Sequence, residues 1–200
     1  MNKRIFILRH GQTVFNSQRK LQGHCDSPLT PHGITQVEDV SATLKNFLSP
    51  DQFYVYASPL GRTIQTAQIV CDALEIPYSA IIQEPRIKEY FLGDWEQQSI
   101  HSLTERYPEF LQQRDWLVKT PNGETLADVQ QRLTSWLEEL PTDKDIVVVS
   151  HGLTGLTLRA MLANLSYDEM WRQEIPQDAF FMVQNGTLTR VDCFSDDALN

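Results

Sequence analysis

The chain has 200 residues, a formal net charge of −9, 41% hydrophobic residues and 10 well-scattered prolines. That size suits one domain, 1–200, with a sizeable core, and the composition excludes a disordered chain. The acidity argues against nucleic acid or an anionic membrane as a general partner, and no apolar run is long enough for a bilayer span or a signal-peptide core.

In chain order, Ile5-Phe6-Ile7-Leu8 reads as a strand buried on both faces, running directly into Arg9-His10-Gly11. Ligands bind at that edge of an open α/β sheet. An arginine beside a histidine disfavours imidazolium and leaves the neutral, nucleophilic ring, and its planar fork matches phosphate oxygens. These residues alone do not separate a poised nucleophile from a polar turn with an ordinary surface histidine. Residues 16–26 form a polar loop containing Gln22-Gly23-His24 and Cys25. Thr30 and Pro31 signal a helix start, and Ile34, Val37, Leu44, Phe47 and Leu48 line its inner face up to Ser49-Pro50-Asp51.

A second strand spans 53–57. Ser58 and Pro59 repeat the cap-plus-proline pattern ahead of a helix with Leu60, Ile64, Ala67, Cys71 and Leu74 on one face. Arg62 falls in its first turn, where two positive features converge as an anion site requires. From that segment alone a solvated surface arginine is the reading to prefer. Residues 79–82 read as a short third strand. Residues 86–121 are aromatic-rich and irregular, which predicts a lid-like insertion with short helices over 100–106 and 109–116, broken at Pro108. A helix follows over 125–140, capped by Thr125 and Asp128. Residues 145–149 are the clearest buried strand, followed by Ser150-His151-Gly152 and a helix over 153–162. A closing hairpin spans 180–183 and 188–193, with Asn185-Gly186 as a type I′ turn.

His10 and His151 therefore each end a strand, and strand ends on one edge of a parallel sheet are neighbours. Two imidazoles, Arg9, Arg62 and helix N-termini would converge, and a glycine after each histidine lets backbone N–H groups approach a ligand. Such a cluster of neutral and positive donors describes a phosphoryl site. No Cys-x-x-Cys or His-x-x-His spacing suggests a metal. Cys25, Cys71 and Cys193 read as reduced cytoplasmic thiols.

Arg9-His10-Gly11-Gln12-Thr13, Asn16, Gln22-Gly23, Ser58-Pro59-Leu60-Gly61-Arg62-Thr63, Glu89 and Ser150-His151-Gly152, in that order, resemble the histidine phosphatase (phosphoglycerate mutase-like) superfamily over nearly the whole chain. The resemblance implies an α/β fold, a three-layer α/β/α sandwich on a mostly parallel sheet. It implies that His10 is the nucleophile and becomes a phosphohistidine, with Arg9, Arg62 and His151 around the phosphoryl group. Glu89 would protonate the leaving oxygen and then activate water. Thr13, Asn16, Gln22, Gly23 and Gly152 would line the pocket. The partner would be a small-molecule phosphate ester. No metal and no other cofactor is implied, and homodimerisation is left open.

Lys88-Glu89-Tyr90-Phe91-Leu92-Gly93-Asp94-Trp95-Glu96 is similar to the phosphatase branch, whereas the mutases carry an Asn-Glu-Arg-His-Tyr-Gly type of segment. The expectation is a phosphomonoester hydrolase; the alternative is a 2,3-bisphosphoglycerate-dependent phosphoglycerate mutase. A binding module without catalysis would not need Glu89. Only the family pattern singles Glu89 out from Glu84, Asp94 and Glu96. One departure is Gln97, where that branch often has glycine. His24, His32 and His101 lack the strand-end context, and only His24 falls near the pocket loop.

Overall fold

The run from Ile5 lacks polar–apolar alternation because both faces of its strand are covered. The strands are β1 (Ile5–Arg9), β2 (Phe53–Ala57), β3 (Ile81–Gln83), β4 (Asp145–Ser150), β5 (Ala179–Gln184) and β6 (Thr187–Asp192). In the computed structural model, which describes residues 3–109 and 112–193, they form one sheet in the order β3-β2-β4-β1-β5-β6. β1, β2, β3 and β4 are mutually parallel; β5 is added antiparallel to β1, and β6 antiparallel to β5.

The helices are α1 (Val14–Ser17), α2 (Pro31–Lys45), α3 (Gly61–Leu74), α4 (Ile100–Arg106), α5 (Leu126–Glu139), α6 (Gly152–Leu162) and α7 (Tyr167–Met170). Phe6 and Leu8 of β1, with Val147, Val149 and Val55, pack against Val37 and Leu44 of α2 and Ala67 and Val70 of α3. On the opposite face Ile5, Ile7, Ile146 and Val148 meet Val129, Leu133 and Trp136 of α5 and Leu158 of α6. The result is the expected α/β/α sandwich. Each fully buried Val, Leu, Ile or Phe contributes about 1.5–3 kcal/mol. No helix among the described residues is long and apolar enough to cross a membrane.

Several predicted ends hold. Thr30 caps α2 with Pro31 behind it, and Thr125 and Asp128 form a capping box on α5. α4 occupies 100–106 as predicted. Asn185 and Gly186 have φ of 52° and 75°, the pair of left-handed residues that a type I′ turn demands.

Other expectations change. Ser58 and Pro59 do not cap α3, which starts at Gly61 after Leu60 and has no side-chain cap. Ser58 instead continues the β2 ladder, its N–H donating to the Val149 carbonyl at 3.1 Å. The third strand is displaced to Ile81–Gln83 because Tyr78–Ala80 turns in a 3₁₀ helix after Pro77. No α-helix fills 109–116 among the described residues. Residues 110 and 111 lie outside them, and the rest is turns leading into a 3₁₀ turn, Trp116–Val118. Trp116 there packs on Trp95, with ring centres 5.7 Å apart, and Trp95 is buried in the α5–α6 core cluster with Ile87, Tyr90, Leu92 and Leu103. Aromatic bulk, rather than a helical stripe, anchors this segment. Gln97 adopts φ of 65°, the left-handed conformation that glycine takes without strain.

β1 leads through α2 to β2, while the adjacent β4 leads through α6 to β5 on its other side. The chain therefore leaves these two strands in opposite directions, and a crevice opens at their C-terminal ends.

Candidate active site

Register brings the two histidines together. Arg9 of β1 pairs with Ser150 of β4, so the residues that follow, His10 and His151, leave the sheet side by side. The His10 N–H donates to the Ser150 carbonyl at 3.1 Å, and the two imidazole centres lie 5.4 Å apart, edge to face. β2 flanks β4 on its other side, and α3 after it carries Arg62 to the same crevice.

The hydrogen bonds fix the state of His10. Its Nδ1 lies 2.8 Å from the Gly11 carbonyl, which only accepts, so Nδ1 carries the proton. Arg62 Nε donates to the other nitrogen, Nε2, at 3.3 Å. Burial first, then the positive charges of Arg62 and Arg9, hold the His10 pKa well below the ordinary histidine value. His10 is thus a neutral imidazole with its lone pair on Nε2. His151 is likewise held well below that value, by burial and then by Arg62 and His10.

Arg62 is not a solvated surface residue, since only 1% of it is exposed. Its guanidinium donates to the carbonyls of Gly23 and Cys25, each at 2.8 Å, and to Asp26 at 3.1 Å, pinning the pocket loop to α3. Arg9 donates one amine to the Ile175 carbonyl at 2.7 Å. Burial lowers its pKa to about 10, so it remains cationic at neutral pH. Among the described residues, Arg9 Nε and His151 Nδ1 are buried and have no hydrogen-bond partner. Unsatisfied buried polar atoms are costly, and Arg9 Nε, which can only donate, marks a place for an acceptor in this crevice.

Glu89 is at the same crevice. One carboxylate oxygen accepts from the N–H groups of Thr154 (2.9 Å) and Tyr90 (3.0 Å), the other from Leu153 (3.1 Å). Leu153 and Thr154 are in the first turn of α6, whose N-terminus favours negative charge. Asn16 forms a capping box with Thr13 on α1, its Oδ1 accepting from the Thr13 N–H at 3.1 Å. Gln177 also donates to that oxygen at 3.3 Å, which leaves the Asn16 amine for a ligand. Gln22 is oriented the same way, its oxygen accepting from the Ser27 hydroxyl at 3.1 Å.

Arg9, His10, Asn16, Gln22, Gly23, Arg62, Glu89 and Gly152 all line one cavity of about 150 Å³. Thr13 does not line it; buried completely, it acts through Asn16. His151 lies beneath the cavity, against His10. Gly11 does not offer its N–H to the cavity. That group donates to the Thr66 hydroxyl at 3.3 Å, and a Cβ on Gly11 would meet the Gly33 carbonyl at 2.2 Å. Gly11 is needed for close approach to α2.

Residues not anticipated complete the wall: Lys20, Leu21, Leu92, Leu117, Leu153 and Ile175. No local signal marks Leu117 or Ile175 as pocket residues. Ser58 was visible in its motif but read as a helix cap; its hydroxyl in fact lies 2.8 Å from His151 Nε2. Glu96 accepts from the His24 N–H at 2.6 Å, tying the pocket loop to the insertion. There Gly23, with φ of +56°, leaves no room for a Cβ, which would come within 2.1 Å of Glu96 Oε1. His24 donates from Nε2 to the Glu89 carbonyl at 2.9 Å, so it steadies the backbone that carries the Glu89 carboxylate. His32 and His101 are exposed. Cys25 donates to Glu96 at 3.0 Å, and burial together with that contact pushes its thiol up, away from reactive thiolate.

The family model for the histidine phosphatase superfamily (branch 1) matches residues 5–195. A relative named probable phosphoglycerate mutase GpmB, from Yersinia enterocolitica, is 35% identical over 79% of this chain and 74% of its own length. The solved structure of the alpha-ribazole phosphatase from Shigella flexneri superimposes with a TM-score of 0.76 at 28% identity, over 96% of each chain. That of Bacillus stearothermophilus YhfR superimposes with a TM-score of 0.77 at 28% identity, over 95% of this chain and 96% of its own. With the two strand-end histidines, the paired arginines and the carboxylate drawn into one crevice, the chain belongs to the histidine phosphatase superfamily.

Proposed function

We propose that the protein is a cytoplasmic, metal-independent phosphomonoester hydrolase acting on a small phosphorylated metabolite through a phosphohistidine on His10. The observation that carries this reading is the pair of unpartnered buried nitrogens, Arg9 Nε and His151 Nδ1, beside a neutral imidazole whose lone pair is on Nε2. His10 Nε2 attacks phosphorus in line; the N–P bond forms as the P–O bond to the leaving group breaks. Arg9, Arg62 and His151 stabilise the equatorial oxygens. Glu89 gives its proton to the leaving oxygen and, once ionised, takes one from the attacking water. That water attacks phosphorus, its O–P bond forming as the N–P bond breaks, and the N–P electron pair returns to Nε2. The three N–H groups on the Glu89 carboxylate suit this second half. Leu92 and Leu117, which line the cavity, support reading the insertion that carries them as its cover.

The name of the 35% identical relative favours a second reading, phosphoglycerate mutase. A mutase must retain a bisphosphorylated intermediate, which calls for a second set of cations. Beyond Arg9 and Arg62, Lys20 is the one cation among the described residues lining the cavity, and its other unanticipated walls are aliphatic. That wall fits a leaving group with an apolar body and supports hydrolysis. The test is a panel of phosphate esters that includes an aryl phosphate, and 3-phosphoglycerate with and without 2,3-bisphosphoglycerate. Free phosphate should appear with the aryl ester and be unaffected by EDTA. Isomerised phosphoglycerate that depends on the bisphosphate would establish the mutase, and loss of activity in EDTA would refute the metal-free mechanism.

A further inference from the structure

We infer that Ser58 is a positioning residue for phosphoryl transfer: its hydroxyl donates to His151 Nε2 and so fixes the tautomer that presents Nδ1–H to the phosphoryl oxygens. The inference rests on the phosphatase reading above and adds to it a residue with no role there. Ser58 is completely buried, and its hydroxyl oxygen is 2.8 Å from His151 Nε2. Geometry alone permits either atom to donate. The Leu60 N–H approaches the same hydroxyl oxygen at 3.4 Å as a donor, so among the described residues His151 Nε2 is the acceptor offered to the hydroxyl proton; were Nε2–H the donor, that buried hydroxyl proton would have no acceptor. The backbone is held on both sides, by Ser58 N–H to Val149 O at 3.1 Å and by the Thr63 hydroxyl to Ser58 O at 2.8 Å. The hydroxyl is therefore placed by the end of β2 and the start of α3, not by solvent.

The consequence falls on the other ring nitrogen. A neutral imidazole has one N–H; if Nε2 accepts, Nδ1 donates. His151 Nδ1 is buried and has no partner among the described residues. As an N–H it is a donor awaiting an acceptor, and a phosphoryl group on His10, whose ring centre is 5.4 Å away, supplies one. In the opposite tautomer Nδ1 would turn a lone pair towards phosphoryl oxygens and repel them. The two histidines thus carry their proton on the same atom, Nδ1, for opposite purposes. In His10 it is tied to a carbonyl so that Nε2 can attack; in His151 it is left free so that Nδ1 can donate.

The test begins with the ligand-free protein. Long-range ¹H–¹⁵N NMR at neutral pH should show His151 protonated at Nδ1, and Ser58→Ala should move that proton to Nε2 or mix the tautomers. An Nε2–H tautomer in the unmutated protein overturns the inference whatever the enzyme does. In turnover of an aryl phosphate, Ser58→Ala should lower kcat by roughly ten- to a hundredfold, short of the loss expected on deleting an oxyanion donor outright. Orthovanadate, as a probe of the phosphoryl site, should bind about tenfold more weakly. Ser58→Thr restores a hydroxyl and should recover the tautomer and part of kcat. Unchanged kcat and vanadate affinity in a folded Ser58→Ala protein also overturns it. Absence of phosphatase activity in the unmutated protein, with the Nδ1–H tautomer confirmed, counts instead against the functional reading.

Discussion

The two strand–His–Gly turns look like copies in sequence and are opposites in structure. At the first, the ring is gripped at both nitrogens, by the Gly11 carbonyl and by Arg62, and Nε2 keeps a lone pair. At the second, the ring is gripped at Nε2 by Ser58, and Nδ1 has no partner among the described residues. The glycines differ as well. Gly11 is pressed against the backbone of α2, whereas Gly152 lines the cavity at the head of α6. A strand end followed by His-Gly therefore specifies where an imidazole will be, not what it will do. The role is set by which nitrogen a neighbour from another element occupies, and those neighbours are 52 residues away for His10 and 93 for His151.

Substituting each histidine in turn should give the largest effect. His10→Ala should abolish both turnover and the acid-labile phosphoenzyme, because no atom remains to accept the phosphoryl group. His151→Ala should slow turnover by roughly 10²–10³-fold, as for loss of an oxyanion donor, yet still form phosphoenzyme. Rapid-quench labelling with a ³²P-labelled substrate separates the two. If His10→Ala still labels, or if His151→Ala fails to label at any time, the division of labour between the turns is wrong.

The sheet and the two strand-end histidines that meet in the crevice were legible in the sequence for a common reason. A strand buried on both faces leaves an unbroken apolar run, and Arg9-His10-Gly11 and Ser150-His151-Gly152 follow such runs without a gap. Arg62 was placed by its helix, but its burial was not, since the carbonyls that satisfy it belong to Gly23 and Cys25 in a loop with no periodicity. Ser58 was misread because cap-plus-proline is a local rule, and the ladder contact to β4 overrides it. Leu117 and Ile175 reach the cavity through tertiary packing alone, and irregular segments leave no period to read.

The glycines give the second contrast. A Cβ on Gly11 would lie 2.2 Å from Gly33 O, a backbone atom held in α2, so Gly11→Ala must displace a helix. Overpacking of this kind costs about 1–3 kcal/mol or more. A Cβ on Gly152 would meet the Ile175 side chain at 3.1 Å, which that side chain can relieve by a few tenths of an ångström, and Arg9 Nε at 3.5 Å, an ordinary van der Waals contact. Gly152→Ala should therefore keep most of the stability and lose activity because the added methyl stands against Arg9 Nε in the cavity that Gly152 lines. Urea midpoints beside kcat for the two variants decide it, and equal destabilisation would remove the distinction.

The smallest effect tests what the turns share, a neutral ring. Burial and the neighbouring arginines hold the folded pKa of both His10 and His151 well below the ordinary value. The unfolded chain takes up protons as pH falls through about 6.5, while the native rings do not. Below that pH the unfolded state binds more protons, so stability falls as the medium is acidified. Each histidine contributes about 1.4 kcal/mol per pH unit to that slope until its folded pKa is reached, and nothing above about pH 7.5. Carboxylates add their own slope, so the informative quantity is a difference. His10→Gln removes one ring and should flatten the unfolding free energy between pH 5 and 6 by about 1.4 kcal/mol per unit relative to the unmutated chain. His151→Gln should do the same, since the second ring is buried as deeply. Parallel slopes would mean that the rings titrate alike in the folded and unfolded chains, and His10 would lose its standing as a nucleophile kept neutral by its surroundings.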